Sequence, residues 1–193
     1  MIQYTEESNG VFSLPLYEAK LCRSIVNSLK RLRDWSAAEI RLETGPGQYG
    51  SFTRLDTRSA RILTSSRAEQ LHQQFDMRID KVINPFIKHV WGVDLPEHSG
   101  TQILRYPPGG HYIVHQDAGA DLRDRYFTVV CYLNDDFEGG DTWFPSLNYS
   151  AIPKTGKAIV FPAEFWHCAQ PVIRGEKYVI VSWIQGPVPI NWV

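Results

Sequence analysis

Cysteine is scarce: Cys22, Cys131 and Cys168 are three in 193 residues, widely spaced and set among apolar neighbours. That argues against a disulfide framework or a thiolate zinc site and implies reduced thiols in a core. No apolar run approaches the roughly 18 residues of a spanning helix. The opening Met-Ile-Gln-Tyr-Thr-Glu-Glu lacks the basic start and apolar stretch of a secretory signal. The expectation is a cytoplasmic protein without membrane contact. An excess of charge of one sign is missing too, because 20 Lys and Arg against 21 Asp and Glu leave a formal net charge of -1. Nothing therefore draws the chain globally to nucleic acid. With no internal repeat, low-complexity tract or linker, residues 1–193 read as one domain, large enough for a substantial core. The oligomeric state is not legible.

What is present falls into two halves. From Tyr17 to about Arg33, Leu21, Cys22, Ile25, Val26, Leu29 and Leu32 share one face, whereas Lys20, Arg23, Lys30, Arg31 and Arg33 fall largely elsewhere. This is an amphipathic helix whose basic side reads as a solvated face. A second helical pattern runs from Ser66 towards Trp91, with Pro85 inside it as a kink or division. Between them Ala38-Glu-Ile-Arg-Leu-Glu43 alternates like an edge strand. The following Thr44–Thr53, rich in Gly and Pro, reads as an irregular loop, and Tyr49 and Phe52 give it something to bury, as a lid would.

After residue 100 short β-branched and aromatic runs separated by Gly-marked turns predict strands in a double-sheet, jelly-roll arrangement. Helices first and strands second predict an α+β fold, with the N-terminal helices packed on one sheet. Within the strand region, Gln102–Asp117 reads as strand, turn, strand, ending in His115-Gln116-Asp117. Side chains two apart on a strand share a face about 6.5 Å apart, so this imidazole and carboxylate can lean onto one ion. One more imidazole would complete the 2-His-1-carboxylate set that favours iron(II). His-x-Asp alone is weak evidence, and usually a solvated strand end.

Five ordered pieces add to it: Arg105-Tyr-Pro-Pro-Gly-Gly-His-Tyr-Ile-Val-His-Gln-Asp117; Arg125, Thr128 and Tyr132-Leu-Asn134; Gly139-Gly-Asp-Thr-Trp-Phe-Pro145; Pro153-Lys-Thr-Gly-Lys-Ala-Ile-Val-Phe161; and His167, Pro171-Val172 and Gly175-Glu-Lys177. Together they resemble the 2-oxoglutarate- and iron(II)-dependent oxygenases, in particular the prolyl 4-hydroxylase-like branch. The resemblance implies a double-stranded β-helix (jelly-roll, cupin-like) core over about residues 100–185, preceded by a helical part over about 1–95. It also implies iron(II), 2-oxoglutarate and O2, with ascorbate as an accessory reductant. The implied reaction decarboxylates 2-oxoglutarate to succinate and hydroxylates an unactivated C–H bond. The first substrate expectation is a prolyl residue in a peptide or protein, with a free amino acid or small metabolite beside it. A catalytically silent jelly-roll binding module is the reading from another class; it requires a missing ligand, and none is missing.

Residue by residue, the resemblance makes His115, Asp117 and His167 the metal ligands and catalytic centre. His111, His72, His89 and His98 are the competing imidazoles. Lys177 takes the place of the cation that pairs with the far carboxylate of 2-oxoglutarate, with Arg174 as a nearby rival. Tyr106, Tyr132 and Thr142 match cosubstrate-pocket positions, although core packing competes for both tyrosines. Trp183 resembles a substrate-side aromatic, as well as a core tryptophan. Gly-Gly-Asp-Thr stands where the prolyl 4-hydroxylase pattern more often has Glu, and the presence of Asp117 speaks against a halogenase-type site.

Overall fold

The computed structural model describes residues 2–64, 66–95, 97–119 and 121–187. Two short strands, β1 (Thr5–Ser8) and β2 (Val11–Pro15), precede helix α1 (Ala19–Leu29), whose inner stripe buries Cys22, Val26 and Leu29. Then come β3 (Trp35–Ala37), β4 (Ile40–Gly45), β5 (Gln48–Phe52), β6 (Arg58–Ser59) and β7 (Arg61–Leu63). Helix α2 (Glu69–Arg78) runs through a π-helical stretch, Ile79–Ile83, into α3 (Asn84–Trp91). Pro85 lies in the first turn of α3; lacking an N–H, it cannot continue an α-helical ladder, and the π stretch before it takes up the break. Gly92, with φ 71°, closes α3 in the left-handed conformation.

The remaining strands are β8 (Glu97–Tyr106), β9 (His111–His115), β10 (Arg125–Tyr132), β11 (Glu138–Gly139), β12 (Thr142–Phe144), β13 (Tyr149–Ala151), β14 (Lys157–Pro162), β15 (His167–Ala169), β16 (Val172–Arg174) and β17 (Lys177–Gln185). An eight-stranded sheet has the order β1-β2-β14-β10-β17-β8-β7-β3, and a five-stranded sheet the order β13-β12-β15-β9-β6. All their pairings are antiparallel.

The period-2 alternation of the strands splits the core into two layers. Tyr178, Ile180 and Ile184 of β17 and Val129 and Cys131 of β10 pack towards Phe75, Ile79, Ile83 and Phe86 of the helices. Val179, Val181 and Trp183, with Val130 and Tyr132, face the other way, towards Phe144 and Phe161 between the sheets. Lys177 has the parity of this second set, and that parity turns an ammonium into the interior of the sandwich. The α+β double-sheet core with helices on one sheet is thus the observed architecture, and all three cysteines are buried and free.

The N-terminal part departs from the sequence reading in three places. It is not only helical: β1, β2, β7 and β3 supply both flanks of the large sheet. Five mostly apolar residues ending at Pro15 give too short a signal beside the helix that follows. Helix α1 ends at Leu29, and Arg31 and Leu32 donate to Ser28 and Leu29 in a tighter turn. Thr44–Thr53 is no irregular loop either, because β4 and β5 form a hairpin with Gly45 opposite Gln48. Pro46 and Gly47, with Gly47 at φ +68°, occupy the two central turn positions where Pro and Gly are favoured.

Candidate metal centre

Strands β9 and β15 are antiparallel neighbours with His115 directly opposite His167, and the ring centroids stand 4.3 Å apart. Asp117 lies beyond the end of β9, in a bend, so strand parity is not what aims it. Its N–H and that of Ala118 both donate to the Ala163 carbonyl, at 2.9 and 3.0 Å, and pin the bend. The carboxylate reaches 3.5 Å from His115 Nε2 and 3.4 Å from His167 Nε2. All three candidate ligand atoms lie within 4.8 Å of one another.

The second layer of contacts fixes the chemistry of these atoms. His115 Nδ1 is 2.8 Å from the Ile113 carbonyl, and His167 Nδ1 is 2.8 Å from the Phe165 carbonyl. A carbonyl only accepts, so each Nδ1 carries a proton and each Nε2 is the ring nitrogen turned to the centre. Thr128 Oγ1 donates to Asp117 Oδ2 at 2.8 Å. Burial, followed by the neighbouring His167, lowers the His115 pKa and favours the neutral ring. Burial alone would raise Asp117, but His167 and His115 outweigh it and hold this carboxyl well below the usual range. Two imidazole Nε2 atoms and one carboxylate converge.

The triad opens onto a cavity of about 480 Å³ between the sheets, into which β17 contributes Lys177, Val179, Val181 and Trp183 and β8 contributes Gln102, Leu104 and Tyr106. Lys177 is 2% exposed. Its Nζ donates to the Gly140 carbonyl at 2.6 Å and lies 5.2 and 5.4 Å from the ring centroids of Tyr106 and Tyr132. One of its three N–H donors is thereby used. Burial pushes its pKa down from 10.5 to about 8, against the opposing pull of Asp141. Gly140, at φ +70°, leaves room for the stem, since a Cβ there would come within 3.3 Å of Lys177 Cδ.

Residues 101–185 match the family model of the 2OG-Fe(II) oxygenase superfamily. The matched stretch is the strand region that carries His115, Asp117, His167 and Lys177. A protein of Acanthamoeba polyphaga mimivirus that carries a prolyl 4-hydroxylase name is 27% identical over 147 residues, 63% of this chain and 60% of that one. Prolyl 4-hydroxylase subunit alpha-1 of Gallus gallus is 31% identical over 121 residues, 53% of this chain and 23% of that one. The chain thus spans less than two thirds of the length of either relative. A Trichoplax adhaerens prolyl hydroxylase, solved in complex with a hypoxia inducible factor peptide fragment, superposes with a TM-score of 0.70 at 18% identity, over 92% of this chain and 84% of that one. The last likeness is one of fold.

The donor set fits iron(II): two imidazole nitrogens and a carboxylate make the facial set whose remaining coordination positions stay open. Lys177 fits an anionic cosubstrate, because a buried ammonium with two N–H groups unclaimed among the described residues is stabilised by a carboxylate. Its rival Arg174 has a side chain 84% exposed and pairs with Glu138 on the surface. Of the competing imidazoles, His111 is tied to the Gly109 and Asp56 carbonyls, His98 faces Asp76 and Asp80, His89 edges against Tyr4, and His72 sits on α2. None joins the cluster.

Tyr106 and Thr142 line the cavity, but Tyr132 stands behind it, 2.8 Å from Thr142 Oγ1, and so bears on the pocket through that hydroxyl. Trp183 lines the wall with its buried Nε1 unpartnered among the described residues. Tyr49 and Phe52 are not on the cavity wall, and Phe52 is 40% exposed. They sit on the outer strand of the hairpin, while Ile40 and Arg41 of its inner strand reach the cavity. Arg41 pairs with Asp121, in the segment beyond the bend at Asp117. Sequence reasoning missed Arg58, Gln102, Tyr112 and Trp166, all on the wall. Arg58 stands in a polar turn-like stretch, and only the register of β6 on β9, Arg58 opposite Tyr112, brings it inside.

Proposed function

We propose that this chain is an iron(II)- and 2-oxoglutarate-dependent hydroxylase acting on a prolyl residue of a peptide or protein. His115, Asp117 and His167 hold the metal and Lys177 anchors the far carboxylate of the cosubstrate. The observation that carries the proposal is the convergence of two Nε2 atoms and one carboxylate on a cavity that also contains a fully buried ammonium. Iron(II), once bound, supplies the oxidative chemistry that turns 2-oxoglutarate and O2 into succinate and carbon dioxide and places one oxygen atom on the substrate C–H. The protein contributes positioning and dryness. Tyr106 shares the anchored carboxylate, Thr142 presents a hydroxyl oriented by Tyr132, and Val179 and Val181 keep water from the wall between them. Trp183 borders the substrate. Incubation with iron(II), 2-oxoglutarate and prolyl peptides tests the reading: succinate and a +16 Da peptide are expected in matched amounts, and neither product forms if the reading is wrong.

A pH dependence follows from Lys177. The ammonium is the form that binds an anion, so 2-oxoglutarate affinity holds up to about pH 8 and then falls by up to roughly tenfold per pH unit. Folding stability moves the opposite way. Unfolded, the same lysine keeps its proton to about 10.5, so between about pH 8 and 10.5 the unfolded state binds the extra proton and stability rises with pH. Calorimetric affinity and denaturant midpoints at pH 7 and pH 9 check both signs; affinity rising with pH contradicts the anchor.

The β4–β5 hairpin serves as the cover of the site, held to the metal side by Arg41 and Asp121. Deleting the hairpin tip, Glu43–Tyr49, is expected to raise the substrate KM and the share of succinate formed without hydroxylated product, with iron content unchanged. Equal coupling in the shortened and intact proteins reduces the hairpin to a surface feature.

A further inference from the structure

Two guanidinium groups line the cavity without a carboxylate in ion-pair distance among the described residues. Arg58 is 8% exposed. Its Nη1 donates to the Glu39 carbonyl at 2.9 Å and its Nη2 to Gln102 Oε1 at 3.0 Å. Its Nε is buried with no partner among the described residues, and its plane sits 4.9 Å from the Tyr112 ring centroid. Arg125 donates to the Asp117 backbone carbonyl at 3.2 Å and stacks 3.7 Å from the Trp183 ring centroid. That ring is backed by Gly100, where a Cβ would come within 3.0 Å of it. Both cations are held by neutral acceptors and aromatic faces, an arrangement that orients the guanidinium fork but does not neutralise it.

The other charges of the site are answered. Arg41 has Asp121, the Glu39 side chain is exposed, and Asp124, which accepts from Gln185, acts on Arg125 only from beyond ion-pair distance. In the proposed reaction Asp117 is matched by the metal and Lys177 by the cosubstrate. Arg58 is buried and Arg125 half-buried, and a guanidinium taken out of water without a counter-ion is costly unless an anion arrives with the substrate. Both line one cavity, Arg58 over Tyr112 and Arg125 over Trp183.

We infer that the substrate presents a carboxylate to Arg58 and Arg125, so that the site selects an acidic substrate over its neutral counterpart. The inference rests on the oxygenase reading for what happens after binding, but not for binding itself. The carboxylate comes either from an acidic side chain beside the target residue or from a free C-terminus, as in a short peptide or amino acid. The test uses acetylated prolyl tripeptides with Glu or Gln beside the proline, each as C-terminal acid and amide. They are titrated calorimetrically into the iron(II) protein with saturating 2-oxoglutarate and oxygen excluded, then assayed for +16 Da product in air.

At least one carboxylate form is expected to bind tenfold or more tightly than its matched neutral form. The Glu/Gln pair and the acid/amide pair identify the source. Arg58→Gln is expected to cut the preference to below threefold and Arg58→Lys to restore part of it; Arg125→Met is expected to cut it as well. Equal binding of every matched pair by the wild-type protein, or an acid preference that survives Arg58→Gln, overturns the inference. Tight acid-selective binding without succinate or product would instead count against the oxygenase reading and leave the inference standing.

Discussion

His167→Ala is expected to abolish 2-oxoglutarate turnover and iron retention, a loss exceeding the roughly 10- to 100-fold that follows removal of a group that only hydrogen-bonds a metal ligand. The imidazole is buried against Phe161 and Phe144, at 4.8 and 6.0 Å between ring centroids, so its position is set by packing and by the Phe165 carbonyl. Alanine removes the donor while leaving β15 paired with β9 and β12. A near-isosteric companion, Asp117→Asn, preserves an acceptor for Thr128 and the volume of the bend but not the anionic ligand, and the same loss is expected. Succinate formation and bound iron per chain are the readouts, with circular dichroism to show that the sheets persist. Turnover by His167→Ala at even a tenth of the wild-type rate would remove this residue from the centre.

The second large effect is at Lys177. Lys177→Met is expected to weaken 2-oxoglutarate by about 10- to 150-fold, the equivalent of the ~1.5–3 kcal/mol of a hydrogen bond to a charged group, with iron binding little changed. Stability is expected to move the other way. The wild-type protein without cosubstrate buries an ammonium whose pKa has fallen to about 8, and an apolar chain of similar length removes that cost. A higher melting temperature together with weaker 2-oxoglutarate binding marks Lys177 as a ligand group and not a structural one. Loss of stability with unchanged affinity would mean the reverse, and Arg174→Ala, on the exposed turn, serves as the comparison.

What was legible in the sequence was what local pattern determines. The alternation of Lys177–Trp183 carries Lys177 to the face it shares with Val179, Val181 and Trp183, and the spacing of His115 and Asp117 identifies two of the three converging groups. Even there the route differs, because Asp117 is aimed by a bend hung on Ala163 and not by strand pleat. Tyr49 and Phe52 drew attention as aromatics in a Gly-rich stretch. Their strand is the outer one of a hairpin, however, and the inner strand, carrying Ile40 and Arg41, makes the wall. Arg58 shows the limit more sharply, since two strand residues in a polar segment acquire meaning only from a pairing 54 positions away, with Tyr112. Strands β1 and β2 were overlooked for a similar reason: β2 is defined by its pairing with β14, which no local signal announces.

The most direct measurement is anomalous diffraction at the iron absorption edge from crystals grown without oxygen in iron(II) and 2-oxoglutarate. One peak per chain is predicted, within bonding distance of His115 Nε2, Asp117 and His167 Nε2, with a carboxylate of the cosubstrate on Lys177 Nζ. An iron peak elsewhere, or none at these three atoms, would contradict the assignment of the centre.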